Sequence, residues 1–292
     1  MSALTFELAR QRYAVENLSD AHRELVLSRF GELETALPPD PLSADAVRLR
    51  IERSLDTASF RDRPPGPTEY RLSVDYDVDG VQVAGVGFRA RIDRQTLSTH
   101  MVTCRDDAWF IDGFENLFRV VVAYRSFVSG SLVLHSAAFT DGERGFVACG
   151  RSGAGKSTLC GLAKGLGLTV LSDELNLIRP IDQGFALQAM PFAGDFGRSR
   201  AGSTSLPLSA LLGLQHDSTP RLGGCSRAQA VSRIVASCPY LNADPQFVDR
   251  VTDRAVELVQ RVPLRVLSFA LDTSFWKVLD HEYPRARSAV SP

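Results

Sequence analysis

Eight residues, Gly150-Arg-Ser-Gly-Ala-Gly155-Lys156-Ser157, fit the pattern G-x-x-x-x-G-K-[ST] at every fixed position. They constrain the chain more than any other stretch because of what flanks them. A short apolar run, "GFVAC", precedes them, and a helix is expected over Lys156–Leu166, ended by Gly165 and Gly167. Glycines at these places let the backbone turn tightly enough to aim several N–H groups at one anion, and the helix adds its positive N-terminal end. In a strand–loop–helix setting, Lys156 would reach the β- and γ-phosphates of a nucleotide and the Ser157 hydroxyl would ligate Mg2+. The expected nucleotide-binding positions are Gly150, Arg151, Ser152, Gly153, Ala154, Gly155, Lys156, Ser157 and Thr158, with Arg151 and Ser152 acting through backbone N–H. A glycine turn with an incidental lysine would share the letters but not the setting. Cys149, just before the loop, reads as packing.

The next constraint is distance. Asp173 and Glu174 end the apolar run "LTVLS", only seventeen residues after Lys156. One helix of this length rises ~16 Å at 1.5 Å per residue, and one strand can return that far. Both acids should therefore arrive beside the loop, at the edge of the sheet where ligands of open α/β sheets bind. One could hold Mg2+ and the other accept the proton of an attacking hydroxyl. Read alone, "SDE" is a strand end with two solvated acids; its place behind the loop favours the chemical reading. The faint signature-like segment "RLGGCSRAQA" follows the acids instead of preceding them, which excludes an ABC-type ATPase.

Composition excludes other classes. The 292 residues are 44% hydrophobic and 23% charged, with net charge −1, so disorder and nucleic-acid or anionic-membrane binding are not favoured. The apolar stretch Leu117–Phe139 is interrupted by Arg119, Arg125 and His135, which argues against a membrane span. No secretory signal is read at the N-terminus. Five scattered cysteines without CxxC spacing indicate reduced thiols and a cytoplasmic location.

Proline clusters at Leu37–Leu42 and Asp62–Pro67 flank a segment, Ala44–Ser54, expected to be a short helix. From Tyr70 apolar and polar residues alternate, with Asp79-Gly80 at a hairpin turn. "ENLFRVVVAYRSFVSG" predicts a mostly buried helix. "LVLHSAAF" and "GFVACG" predict buried strands hinged at "TDGERG". Ser226 and Gln229 form a capping box, Asp244 and Pro245 should open another helix, and "PLRVLSFAL" should close the fold as a strand. The expected division is an α+β module over residues 1–128, possibly for substrate recognition, and an α/β nucleotide-binding domain over 129–292.

The run "LHSAAF…GFVACGRSGAGKSTL…GLTVLSDEL" resembles the kinase domain of HPr kinase/phosphorylase, whose P-loop fold is shared with phosphoenolpyruvate carboxykinases. The layout is most similar to HPr-kinase-related proteins encoded beside peptide-modification genes. The resemblance spans about Leu132–Leu279. It implies a Mg-dependent, ATP-using phosphotransferase acting on an alcohol group, and an assembly that is often a homo-oligomer. By family position, His135 is the strand-end histidine and Asp173 the catalytic base, while Glu174 stands at the second acidic position, where the family more usually has Asp. His135, which could hydrogen-bond the phosphate or Asp173, joins Asp173 and Lys156 as a catalytic candidate, and Glu174 joins Ser157 as an expected metal ligand. Ser136 replaces the family's usual glycine. No segment matches the one through which HPr itself is recognised, so the acceptor is a serine of a peptide or protein, or a small metabolite.

The glycine-rich "PFAGDFGRSRAGS" offers Arg198 and Arg200, which would either meet the transferring phosphate and its acceptor or form a solvated basic loop. The rival to a kinase is a non-catalytic, nucleotide-gated binding or scaffold protein.

Overall fold

The computed structural model describes residues 3–35, 46–55, 60, 72–104, 108–192, 194–197 and 205–285. Among these it is mixed α/β, with two mixed sheets and six α-helices, and it divides into units Met1–Ser129 and Gly130–Pro292. No helix of the described residues is long and apolar enough to cross a membrane. All five cysteines are free.

In the first unit β1 (Leu4–Leu8) and β2 (Gln11–Glu16) form a hairpin, followed by α1 (Asp20–Phe30) and β3 (Ala46–Arg53). Then come β4 (Ser73–Tyr76), β5 (Gly80–Gly85), β6 (Phe88–Asp93), β7 (Thr99–Thr103) and α2 (Ala108–Val128). The sheet order is β1-β2-β3-β7-β6-β5-β4, with β3 parallel to both β2 and β7. The helix expected around Ala44–Ser54 is therefore strand β3 where it is described. Val47, Leu49 and Ile51 are buried while Arg48 and Arg50 turn away, a period of two that outweighs the proline flanks. The turn at Asp79-Gly80 forms as expected, closed by Asp77 N–H donating to the Gly80 carbonyl at 3.1 Å. Helix α2 begins seven residues before Glu115. Its Phe110, Phe114 and Phe118 repeat every four residues, and Phe30 packs edge-on against Phe114 and Phe118.

The second unit opens with β8 (Leu132–Thr140), β9 (Gly145–Cys149), α3 (Lys156–Gly165) and β10 (Thr169–Ser172). It continues with β11 (Leu175–Ile181), β12 (Gly184–Ala189), β13 (Ser205–His216) and β14 (Arg221–Gly224). Finally come α4 (Arg227–Ser237), α5 (Val248–Arg261), β15 (Leu264–Phe269) and α6 (Phe275–Glu282). Strand β9 lies between β8, antiparallel, and β13, parallel; β15 runs parallel to β13; β10 is antiparallel to β8. Strands β9, β10, β13 and β15 thus point the same way, and their C-terminal ends share one edge. Leu159, Cys160 and Ala163 of α3 pack on Ala137, Phe139, Phe146 and Ala148.

Two boundaries differ from the sequence reading. The capping box of Ser226 and Gln229 forms, but α5 starts at Val248: Asp244 caps only the preceding turn, its Oδ1 accepting from Gln246 N–H at 3.0 Å. Strand β15 does not close the fold, because α6 follows and buries Phe275 and Leu279.

Helix α6 is tied to the β8–β9 turn by a buried arginine. The Arg144 guanidinium bonds Asp141 at 2.6 Å, Asp280 at 2.7 Å and the Tyr283 carbonyl, and lies over the Phe146 and Trp276 rings. Burial opposes ionisation of Asp141, but hydrogen bonds from Arg144 and from the backbone N–H groups of Arg144 and Glu143 prevail, holding its carboxyl at about 2. A depressed carboxyl stabilises the fold above its ordinary value of 3.8 and loses that contribution as pH falls towards 2. Asp141→Asn should therefore unfold at lower denaturant than wild type at pH 7, and the gap should close between about pH 4 and pH 2. Denaturation series at both ends check this; a gap independent of pH would contradict it.

Candidate functional site

Loop 150–155 needs its glycines. Gly153 and Gly155 have φ of +78° and +95°, and a Cβ on Gly150 would come within 2.7 Å of the Ala154 Cβ. The loop leads directly into α3, whose N-cap is Gly155. The first amides of this helix are without intrahelical partners, and its dipole favours an anion beside them. Lys156 is largely buried; its Nζ donates to the carbonyls of Gly150 at 3.0 Å and Arg151 at 3.3 Å. Cys149 is fully buried, and burial pushes its thiol up to about 11, so at neutral pH it is an uncharged packing group.

Asp173 and Glu174 follow directly on the C-terminal end of β10, as the sequence suggests. They occupy a two-residue break between β10 and β11, which run on together along β8. Just before the break, Val170 and Ser172 pair with the consecutive residues Phe139 and Ala138, so Leu171 is an inserted residue. Bulges of this kind re-aim the side chains that follow. Asn176 staples the break from beneath, donating to the Ser136 carbonyl at 2.8 Å, the Ser136 hydroxyl at 3.1 Å and the Ser172 carbonyl at 3.3 Å. The Ser172 hydroxyl accepts from Glu174 N–H.

The break turns Asp173 onto the glycine loop. The Ser157 hydroxyl donates to Asp173 Oδ2 at 3.0 Å, and Asp173 is only 5% exposed. Its other oxygen accepts from Phe196 N–H at 3.4 Å, in a turn closed by reciprocal Gly194–Gly197 hydrogen bonds. A Cβ on Gly194 would stand 2.1 Å from Asp173 Oδ1, so no larger residue fits that approach. Glu174 lies on the other side, with its Oε2 3.6 Å from His135 Nε2.

These groups line one cleft of ≈ 340 Å³, shared by His135, Ser152, Gly153, Gly155, Lys156, Ser157, Thr158, Asp173 and Glu174. The remaining loop positions, Gly150, Arg151 and Ala154, face a second cleft along α4. Arg198 and Arg200 lie outside the described residues. Gly194 and Asp195, from the same glycine-rich segment as those arginines, also line the first cleft, as does His216, to which the sequence reading gave no role. His216 ends β13 and reaches the cleft because β13 runs parallel to β9.

Residues 114–283, more than half of the chain, match the family described as SynChlorMet cassette protein ScmC. The chain belongs to this family. The description of ScmC names a cassette and no reaction, and no curated protein matches. Among the described residues no three His, Cys, Asp or Glu side chains cluster as a ready metal cage.

A Cβ on Gly155 would meet His216 Cε1 and Phe269 Cζ at 3.0 Å, at a left-handed φ. Gly142 has φ +99° with nothing within 4 Å, so its alanine variant isolates the backbone cost. Gly142→Ala should lose about 1–2 kcal/mol, the cost of placing a Cβ in the left-handed region. Gly155→Ala should lose more, up to ~3 kcal/mol, as rings and loop are forced apart. Urea denaturation of both variants measures the difference; equal losses would mean that the rings yield freely.

Proposed function

We propose that the chain binds ATP with Mg2+ at the glycine loop and transfers the γ-phosphoryl group to a hydroxyl, a serine of a peptide or protein or the alcohol of a small metabolite. The observation that carries this reading is the 3.0 Å hydrogen bond between Ser157 and Asp173, in one cleft with Lys156. Phosphoryl transfer asks the protein mainly for positioning and charge neutralisation, and those are the groups it uses. The order of motifs, similar to that of HPr kinase, supports the same class.

Each residue has a task in this reading. Loop amides and the α3 N-terminus hold the phosphates, and Lys156 exchanges two backbone carbonyls for phosphate oxygens. Ser157 and Asp173 offer hard oxygens side by side, a donor set that suits Mg2+, which is commonly held by one or two carboxylates and substrate phosphates. When bound, Mg2+ would neutralise charge on the phosphoryl oxygens.

The family resemblance implies Asp173 as the base, with Glu174 left for the metal. The Ser157 contact favours the exchange of these roles. Asp173 then serves the metal, and Glu174, beside His135, accepts the proton of the acceptor hydroxyl. As the acceptor oxygen bonds to the γ-phosphorus, the bond to the β–γ bridging oxygen breaks, ADP leaves and the proton passes to the Glu174 carboxylate. His135 orients that carboxylate. A homo-oligomer belongs to the same proposal through the resemblance alone, and a cytoplasmic location through the scattered cysteines.

Transfer of labelled γ-phosphate from ATP to candidate peptides and small alcohols tests the class. Glu174→Gln should lower turnover by about 10²–10⁴, the usual contribution of a general base. It should leave Mg2+-linked ATP binding intact, whereas Asp173→Asn should lose that linkage in titration calorimetry. Tight ATP binding without transfer to any acceptor would favour a nucleotide-gated scaffold instead.

A further inference from the structure

The two acids stand on one side of the glycine loop, reached through β8 and β10. On the other side are the ends of β13 and β15, where His216 pairs with Phe269 in parallel register. His216 is exposed and lines the same cleft as Lys156 and Thr158, while Phe269 is fully buried beneath it. Their ring centroids are 5.2 Å apart with planes at 39°. Both rings abut the loop backbone, since a Cβ on Gly155 would meet each at 3.0 Å.

The strand end that carries the imidazole is fastened. Asp217 N–H donates to the Phe269 carbonyl at 3.0 Å, fastening the two strand ends. The Asp217 carboxylate accepts from Thr219 N–H at 3.2 Å and pairs with Arg221 at 2.6 Å, which closes the turn after His216. The result is a flat, exposed heteroaromatic ring on a fastened strand end, beside Phe269 at the mouth of the glycine loop.

Polarity of the ligand follows from the loop. Its amides cradle the α- and β-phosphates, its lysine reaches the β- and γ-phosphates and its serine hydroxyl serves the metal. The γ end of a nucleoside triphosphate therefore points to Ser157 and Asp173, and the nucleoside end points away from the acids. We infer that His216, backed by Phe269, is the stacking platform for the nucleobase of the bound nucleotide. This rests on the nucleotide-binding reading of the loop. Stacking uses the π-face that every base has, so the platform adds affinity without choosing between purines.

The test separates the base from the phosphates. Binding of Mg2+-ATP and of Mg2+-tripolyphosphate is measured by calorimetry for the full chain, His216→Ala and His216→Phe. Loss of one stacking partner should weaken ATP binding about tenfold. Tripolyphosphate affinity should not change, and His216→Phe, which keeps a flat ring, should bind ATP like wild type. The inference is overturned if His216→Ala binds ATP unchanged, if it loses both ligands equally, or if wild type binds tripolyphosphate as tightly as ATP. Wild type that binds neither ligand would instead overturn the nucleotide reading, and the platform with it.

Discussion

Strand β8 is paired along nearly its whole length on one edge or the other, and the site exists because of how those pairings are divided. Residues Ser136–Thr140 pair with β9, which ends in the glycine loop. On the opposite edge, Ala138–Thr140 pair with β10 and Leu132–His135 with β11. The acids sit where the second pairing hands over to the third. A single strand thus sets the loop and the carboxylates at a fixed separation, with no long insertion between them. That is why seventeen residues suffice to go from Lys156 to Asp173: α3 leaves the loop, β10 returns beside β8, and β8 already holds β9 in register.

Close approach has a cost in residue choice. Three glycines around the loop and the acids make close approaches, Gly150 on Ala154, Gly155 on the two rings and Gly194 on Asp173, and the first and last leave no room for a Cβ. The first two lie inside the recognisable motif. The third comes from a distant loop, and it nearly encloses one face of the carboxylate that Ser157 already contacts. Glycine here lets backbone reach a charged group directly, so that a peptide N–H, that of Phe196, takes the place of water at Asp173.

The glycine loop, its helix and the hairpin before it were legible because each rests on local chemistry: positive φ, helix capping and a turn at Gly142. The arrival of the acids was legible from chain length alone. What the sequence could not show was non-local. Strand β3 carries the alternation Val47, Leu49, Ile51, but arginines between them also suit an amphipathic helix, and only its two parallel neighbours decide. The bulge at Leu171 leaves no mark, since any apolar residue can be the inserted one. Gly194 and His216 reach the cleft through strand direction, which a single chain of letters does not encode.

That unmarked bulge has the largest consequence. Were β10 regular, the pairing Val170–Phe139 would continue two by two and bring Glu174, instead of Leu175, opposite His135. A slip of one residue exchanges the faces of every side chain that follows. Asp173 would then turn away from Ser157, and the apolar residues Leu175 and Leu177, now buried, would exchange places with their neighbours. The inserted residue corrects the parity once, and Asn176 locks it by bonding both strands at the break. The orientation of the acids towards the loop is therefore a property of sheet register, and the acidic pair alone would not produce it.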